Sequence, residues 1–560
     1  MKISRQIETD VLVVGGGIAG LMAAIRAAEE GAATLIAEKA HVRRSGSGAT
    51  GNDHFFSYIP EYHGPDLAPI LREVSVSQTA LCQEGVMVRH HMENSFEVIK
   101  LWHDWGINMR PTGKWHFSGH AFPERPRIWL RYNGCNQKAV LSERAAQSGV
   151  SVLNHHPVLE LIREEGAAGA VCGAVALDTS TPQGELVEIR AKAVIMATGC
   201  TTRLYSNEAS PGWMFNQAYC PSCAGALAQG WRVGARMVNL ELPNRHAGTK
   251  YFARCGKGTW VGVYRYLDGK PLGPFVTKPD INYGDMTSDI WSSAFTDVMR
   301  NGRGPAYLDC SELTPEEYQY VVEGMISEGL TAQLDYMRAE GIDPREHAIE
   351  FQQYEPHLFA RGFDVNTRGE TGVPGLYAAG DTIGTFRGGI AGAAVFGWSS
   401  GKAASEFAGQ RPAAGAAPTQ AAELVRARAE RFMTRRNGPD WKEINLALQQ
   451  VMSDYAAAAP YRVRSETLLS AGLHYIAYLK KMAEERLAAS CSHTLMRAFE
   501  VLDLLDCGEM IMHGALERKE SRALHQRSDY TFTNPLLADK FLQVWQENGK
   551  VQTAWRLKES

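Results

Sequence analysis

Long apolar runs are missing from this 560-residue chain. No stretch reaches the roughly 20 consecutive apolar residues that a membrane-crossing helix needs, so a direct helical membrane span is excluded. An excess of one charge is missing too. The 58 basic and 62 acidic residues leave a net charge of −4 and are well mixed, which gives no electrostatic footprint for nucleic acid. Clustered cysteine is scarce: the ten cysteines are scattered, as suits reduced thiols better than a disulfide framework. Only Cys220-Pro221-Ser222-Cys223 forms a CxxC. With no second pair at zinc spacing and no run at iron–sulfur spacing, it reads as a buried turn, and no metal ligands are expected. No basic, apolar and cleavable leader precedes the first strand, so the expected compartment is the cytoplasm.

What is present is ordinary globular composition, 44% hydrophobic and 21% charged, in a chain too long for one core. Residues 10–14, Asp-Val-Leu-Val-Val, have the apolar character of a buried parallel strand. Gly15-Gly16-Gly17-Ile18-Ala19-Gly20 follows at once, then an alanine-rich helix over 21–31, a second strand over 34–37 and Glu38. Gly15 permits the tight turn, Gly17 lets the backbone approach a pyrophosphate, and Gly20 lets helix and strand pack closely. The helix N-terminus, opened by Ile18 and Ala19, stabilises phosphate charge. Glu38 stands where a carboxylate accepts hydrogen bonds from adenosine ribose hydroxyls. A glycine fingerprint alone is weak; placed between strand and helix and followed by the acid, it marks a dinucleotide site.

Two later strands complete the pattern. Residues 191–199 end in Ala-Thr-Gly, and residues 375–381 end in Gly-Asp. At these distances the elements resemble the fumarate reductase/succinate dehydrogenase flavoprotein family, and the segment Glu520-Ser521-Arg522 through Asp529-Tyr530 resembles that family's C-terminal pattern. The resemblance implies FAD as cofactor, with Thr198 and Gly199 on its adenine side and Gly380 and Asp381 at its ribityl and phosphate region. Lys39, Ser45, Gly46, Thr50 and Gly51 join the expected cofactor residues.

The chain departs from that family at an informative place. Where succinate dehydrogenases carry a histidine bonded to the flavin, this chain reads Arg43-Arg44-Ser45-Gly46-Ser47. Gly46 has no side chain to attach, so non-covalent FAD is expected. Arg-Ser-Gly is similar instead to the alpha subunit of adenylylsulfate reductase, as are residues 128–134 and the glycine-rich 255–262. The late block Phe386-Arg387-Gly388-Gly389 is closer to the fumarate reductase type.

Hydride exchange with an anionic substrate needs cations and a proton donor or acceptor. By resemblance, Arg387 binds a substrate carboxylate, His357 in Tyr354-Glu355-Pro356-His357 belongs to the site, and Arg254 serves as proton donor, with Arg265 as its competitor. Trp213, Trp260 and Trp398 read as core residues.

The expected fold class is α/β: a Rossmann-like FAD-binding domain with an inserted capping domain and a C-terminal helical domain. The expected divisions are FAD-binding residues 1–240 and 347–410, a cap over 241–346, a linker over 411–420 and helices over 421–560. Function is expected to be oxidoreduction of a small anionic or activated substrate. A separate ferredoxin-like iron–sulfur subunit would exchange the electrons, as the relatives imply. Adenylylsulfate reductase-like and aspartate oxidase-like activities are the alternatives.

Overall fold

The computed structural model describes the chain apart from residues 77–80, 119–125, 165, 167–168, 208–212, 216–219, 221–222, 251–262, 272–301, 303, 328–329, 413–419 and 460–461. Strand β1 (Ile3–Val14), helix α1 (Ile18–Glu29) and strand β2 (Thr34–Ala37) form the expected unit. Val11, Leu12 and Val13 are fully buried, as a strand covered on both faces requires.

A seven-stranded sheet is built around this unit. Its order is Ser151–Leu153, β2, β1, Glu185–Met196, Val171–Asp178 and Val158–Arg163, with Leu376–Ala378 also pairing Glu185–Met196. β1 runs parallel to both neighbours, and Val14 aligns with Ala37 on one side and Met196 on the other. Ala378 aligns with Met196 in turn. This register makes Gly15, Glu38, Ala197 and Ala379 leave the sheet together at its carboxyl edge, where open α/β sheets bind ligands.

The late helix Gly389–Gly409 crosses α1 at close range. A Cβ at Gly397 would stand 2.4 Å from the Ala19 carbonyl oxygen, and one at Gly401 2.3 Å from that of Ala23. These late glycines therefore serve helix contact.

The insertion has its own sheet, ordered Ala247–Thr249, Ile349–Gln353, Ala306–Leu308 and Tyr264–Tyr266. A separate apolar cluster including Tyr264, Leu308, Val321, Met325 and Phe351 supports it. Ile349–Gln353, past the expected boundary at 346, pairs with two strands of the insertion, Ala247–Thr249 and Ala306–Leu308. Two helices, Pro315–Ser327 and Thr331–Ala339, also belong to the insertion.

Beyond residue 420 stand four helices, Gln420–Thr434, Trp441–Tyr455, Glu466–Arg486 and Ser492–Glu517. On the third of these helices Leu469, Ile476 and Leu479 are buried, whereas Leu468 and Leu473 are partly exposed. The region is not wholly helical. Lys540–Glu547 and Lys550–Leu557 form a hairpin that joins Met237–Val238 and Gly362–Phe363 in a further sheet. No described helix is long and apolar enough to cross a membrane.

Candidate active site and cofactor cradle

The glycine turn has the geometry a phosphate cradle needs. Gly15 has φ +98°, and a Cβ there would stand 2.6 Å from the Ala197 oxygen; one at Gly20 would stand 1.9 Å from the Gly15 oxygen. Gly17 is different. A Cβ on it would meet nothing nearer than the Gly46 Cα, 4.0 Å away, so this glycine faces a gap that protein does not fill. Gly46, at φ +85°, closes the other wall. The Ser45 hydroxyl donates to the Gly16 carbonyl at 3.4 Å. These residues fit a dinucleotide diphosphate laid against α1.

Glu38 is buried, and both its oxygens are engaged. Oε2 accepts the Gly16 N–H at 2.6 Å and Oε1 the Ala40 N–H at 2.7 Å. Lys39 pairs with Glu500 at 2.7 Å. Arg203 and Arg497 also reach Glu500, at 2.6 and 2.8 Å. Burial alone would raise the Glu500 carboxyl, but the charges of Lys39, Arg203 and Arg497 outweigh it and hold the group well below the carboxylate range. Gly51 is buried at φ +119°, and Thr50 is exposed at the end of the same loop.

Thr198 and Gly199 follow the central strand. A Cβ at Gly199 would stand 3.1 Å from the Cys223 sulfur, whose thiol hydrogen-bonds that of Cys200. The Cys223 N–H donates to the Cys220 carbonyl at 3.2 Å, so the CxxC ends form a turn beside the cradle. Among the described residues no group of His, Cys, Asp and Glu is arranged to hold a metal ion.

The substrate-side residues approach from another direction. Gly380 and Asp381 open a short 3-10 turn directly after Leu376–Ala378, and a Cβ at Gly380 would press on that of Ala19 at 2.8 Å. Burial pushes the Asp381 carboxyl up to about 7, against the opposing charge of Arg387. His357 is buried and joined to Asn244 by a pair of backbone hydrogen bonds, each 2.9 Å. Burial pushes its imidazole down to about 3, a hydrogen bond to the Glu355 carbonyl opposes this, and His246, Arg387 and Arg361 add to it. The structure thus brings His357, Arg387 and Asp381 into one electrostatic neighbourhood. The Arg387 guanidinium lies over the Phe359 ring, 5.3 Å from its centroid, and its carbonyl accepts from Gln83 at 3.1 Å.

Arg254 and Trp260 lie outside the described residues. Arg265 spends its two Nη groups inside the cap, on Glu312 at 2.6 Å and the Gly269 carbonyl at 3.0 Å. Trp398 is buried, whereas Trp213 is 45% exposed and is not core.

Sequence reasoning missed two cations. Arg361 is buried, donates to the Leu242 carbonyl at 2.6 Å and feels the charge of Arg387. Lys138 is 3% exposed, and its ammonium donates to the Gly16 carbonyl inside the cradle. A signal for Lys138 existed. It is the second residue of the helix Gln137–Gln147, where the helix dipole disfavours a cation.

The C-terminal charged block is buried around the start of the cap. Arg518 pairs with Glu241 and Glu520, each at 2.7 Å, while Arg464 donates to the Glu241 carbonyl at 2.7 Å.

Comparison with known proteins agrees with this geometry. Residues 10–396 match the model of the FAD binding domain, and residues 445–555 match that of the fumarate reductase flavoprotein C-term. The fumarate reductase flavoprotein subunit of Haemophilus influenzae is 25% identical over 97% of this chain and 93% of its own length. L-aspartate oxidase of Vibrio cholerae is 25% identical over 95% and 97%. Adenylylsulfate reductase of Archaeoglobus fulgidus shares the fold with a TM-score of 0.83 at 21% identity, covering 100% of this chain and 97% of that one. The FrdA chain of E. coli quinol fumarate reductase follows at 0.80 and 22%, covering 99% and 97%. The chain belongs to the fumarate reductase/succinate dehydrogenase flavoprotein family and is an FAD-dependent oxidoreductase.

Proposed function

We propose that this chain transfers hydride between non-covalently held FAD and a small anionic or activated substrate, in the cytoplasm, with electrons exchanged through a separate iron–sulfur protein. The observation that carries the reading is that the Arg387 charge acts both on buried His357 and on Asp381, which lies in the turn that follows Leu376–Ala378. When bound, FAD supplies the two-electron chemistry. Gly15, Gly17, Ile18, Ala19, Gly20, Ser45, Gly46, Thr50, Gly51, Thr198, Gly199, Gly380 and Asp381 are assigned to holding it. Glu38 and Lys39 are assigned to the adenosine end, Glu38 as ribose acceptor and stay for the Gly16 turn, Lys39 through its pairing with Glu500. Arg387 binds the anionic end of the substrate, and Arg361 adds positive potential behind it. His357 stays neutral in its buried position and so offers a hydrogen bond without adding charge. Arg254 on the cap is assigned the proton transfer.

Fumarate reductase, aspartate oxidase and adenylylsulfate reductase relatives offer different substrates. A substrate screen separates them: the protein is reduced anaerobically and mixed with dicarboxylates and with adenylylsulfate, following absorbance at roughly 450 nm. Recovery of the band with one anion class identifies the acceptor. No recovery with either class, together with hydrogen peroxide formation from L-aspartate under air, would replace the reading with an aspartate oxidase-like one.

A further inference from the structure

Lys138 is a buried charge in want of a partner. The residue is 3% exposed, and among the described residues its ammonium hydrogen-bonds to the Gly16 carbonyl alone. An ammonium has three donors, and among the described residues Lys138 makes no ion pair. Glu38, the carboxylate whose charge it feels, commits both oxygens to backbone N–H groups. The position on its helix adds to the cost, because a cation in the first turn opposes the helix dipole. Buried charges persist when something pairs them.

The location names the partner. Gly16 stands between the glycine that makes the tight turn and the one that faces the gap. Ser45 donates to the same carbonyl as Lys138, and Gln137 is pinned by its amide to the Gly48 carbonyl at 2.7 Å. The N-termini of α1 and of Gln137–Gln147 thus flank one small region that also contains a cation and a hydroxyl. We propose that the Lys138 ammonium is the counter-charge for the cofactor's diphosphate, and that cofactor binding draws a proton onto this lysine from solvent. The inference rests on the reading of the cradle as the FAD diphosphate site.

The proton count follows from its surroundings. Burial pushes the Lys138 ammonium down to about 8, while Glu38 at the end of β2 and Cys220 in the loop after the central strand favour the charged form. A diphosphate beside it would favour the charged form far more. Near pH 8 the free chain therefore carries the lysine about half protonated and the bound chain fully protonated. Binding takes up about half a proton there and almost none near pH 6.5. Above pH 8, affinity falls by up to about tenfold per pH unit until the bound lysine itself titrates.

Holoprotein diluted at pH 6.5 to 9.5 releases FAD, which is read by its fluorescence. Titration of FAD into the deflavinated full-length chain, in buffers of different ionisation enthalpy, gives the proton count. The wild type should lose affinity above pH 8. K138R should bind FAD comparably with no such loss and no matching uptake, because a guanidinium is always charged. The difference between these two proteins removes contributions from other groups. K138M should weaken FAD and ADP roughly 10- to 100-fold and leave adenosine, which has no phosphate, unchanged. Identical pH profiles for wild type and K138R, or equal weakening of ADP and adenosine in K138M, would overturn the proposal. A chain that binds no FAD at any pH would instead overturn the cradle reading itself.

Discussion

The Glu38 carboxylate holds the Gly16 amide, 2.6 Å from Oε2 to nitrogen, across 22 residues of chain. The acid at the end of β2 therefore ties down the glycine turn, a role beyond the ribose contact proposed for it. Glu38→Ala removes the acceptor for two N–H groups at once and should weaken FAD binding by about 1–3 kcal/mol. Equilibrium dialysis of FAD against variant and wild type measures this. Unaltered affinity would show that the turn holds its shape without Glu38.

Gly46 sits at φ +85° and has no side chain to which a flavin could be bonded. Purified protein should be yellow and should release all its flavin into the supernatant on acid precipitation. Flavin retained by the pelleted chain would locate a covalent bond elsewhere.

The pocket residues differ in what they should do to the kinetics. Arg387→Ala should lower kcat/KM by about 10²- to 10³-fold, consistent with losing a charge-assisted contact to the substrate anion, while the flavin spectrum stays unchanged. His357→Ala should abolish turnover with the flavin band retained. Since burial pushes His357 down to about 3, the wild-type pH–rate profile should carry no inflection near 6.5 from this residue. Arg254→Ala should lower kcat far more than it raises KM, as expected of a group acting in the transition state. Unchanged kcat in Arg254→Ala removes it from proton transfer, and Arg265, already tied to Glu312, becomes the residue to substitute next.

Buried histidines set the acid limit of stability. Burial pushes His91 down to about 4, opposed by its hydrogen bond to the Phe56 carbonyl, and pushes His357 to about 3. Between those values and about 6.5 the unfolded chain binds more protons than the folded one. Their stabilising contribution is thus full above pH 6.5 and is lost as pH falls toward 4. At pH 5 each costs about 2 kcal/mol. Urea midpoints should drop between pH 7 and pH 5, and His91→Gln should flatten that drop. A slope unchanged in the variant would assign it to other groups.

The nucleotide end of the fold was legible because its information is local. Strand, glycine turn, helix and acid lie within residues 10–38, and each constrains its neighbours in sequence. The hairpin Lys540–Glu547 and Lys550–Leu557 was missed although Asn548-Gly549, both at positive φ, is a strong two-residue turn signal; reading 421–560 as helical absorbed it. Lys138 had a different difficulty. Its meaning depends on a contact with Gly16 across 122 residues and on burial, neither of which leaves a periodic mark. Arg203 and Glu500, 297 residues apart, are another pair that only tertiary packing makes visible.

The last expectation concerns electrons. An oxidoreductase of this family needs a second redox agent, and the sequence has neither cysteines at cluster spacing nor a second glycine fingerprint of the first kind. Among the described residues no metal-holding group occurs. Relatives named as flavoprotein subunits are parts of larger assemblies, and the family resemblance implies a small iron–sulfur protein as the missing part. Free NADH or a quinol is the competing donor. Anaerobic stopped-flow distinguishes them by mixing the oxidised holoprotein separately with NADH, with a quinol and with reduced ferredoxin, following the loss of absorbance at roughly 450 nm. Ferredoxin should give the fast, saturable phase. Its rate should fall with ionic strength if opposite charges steer the two proteins together. Saturable reduction by NADH alone, with no iron or labile sulfide co-purifying, would remove the partner from the mechanism.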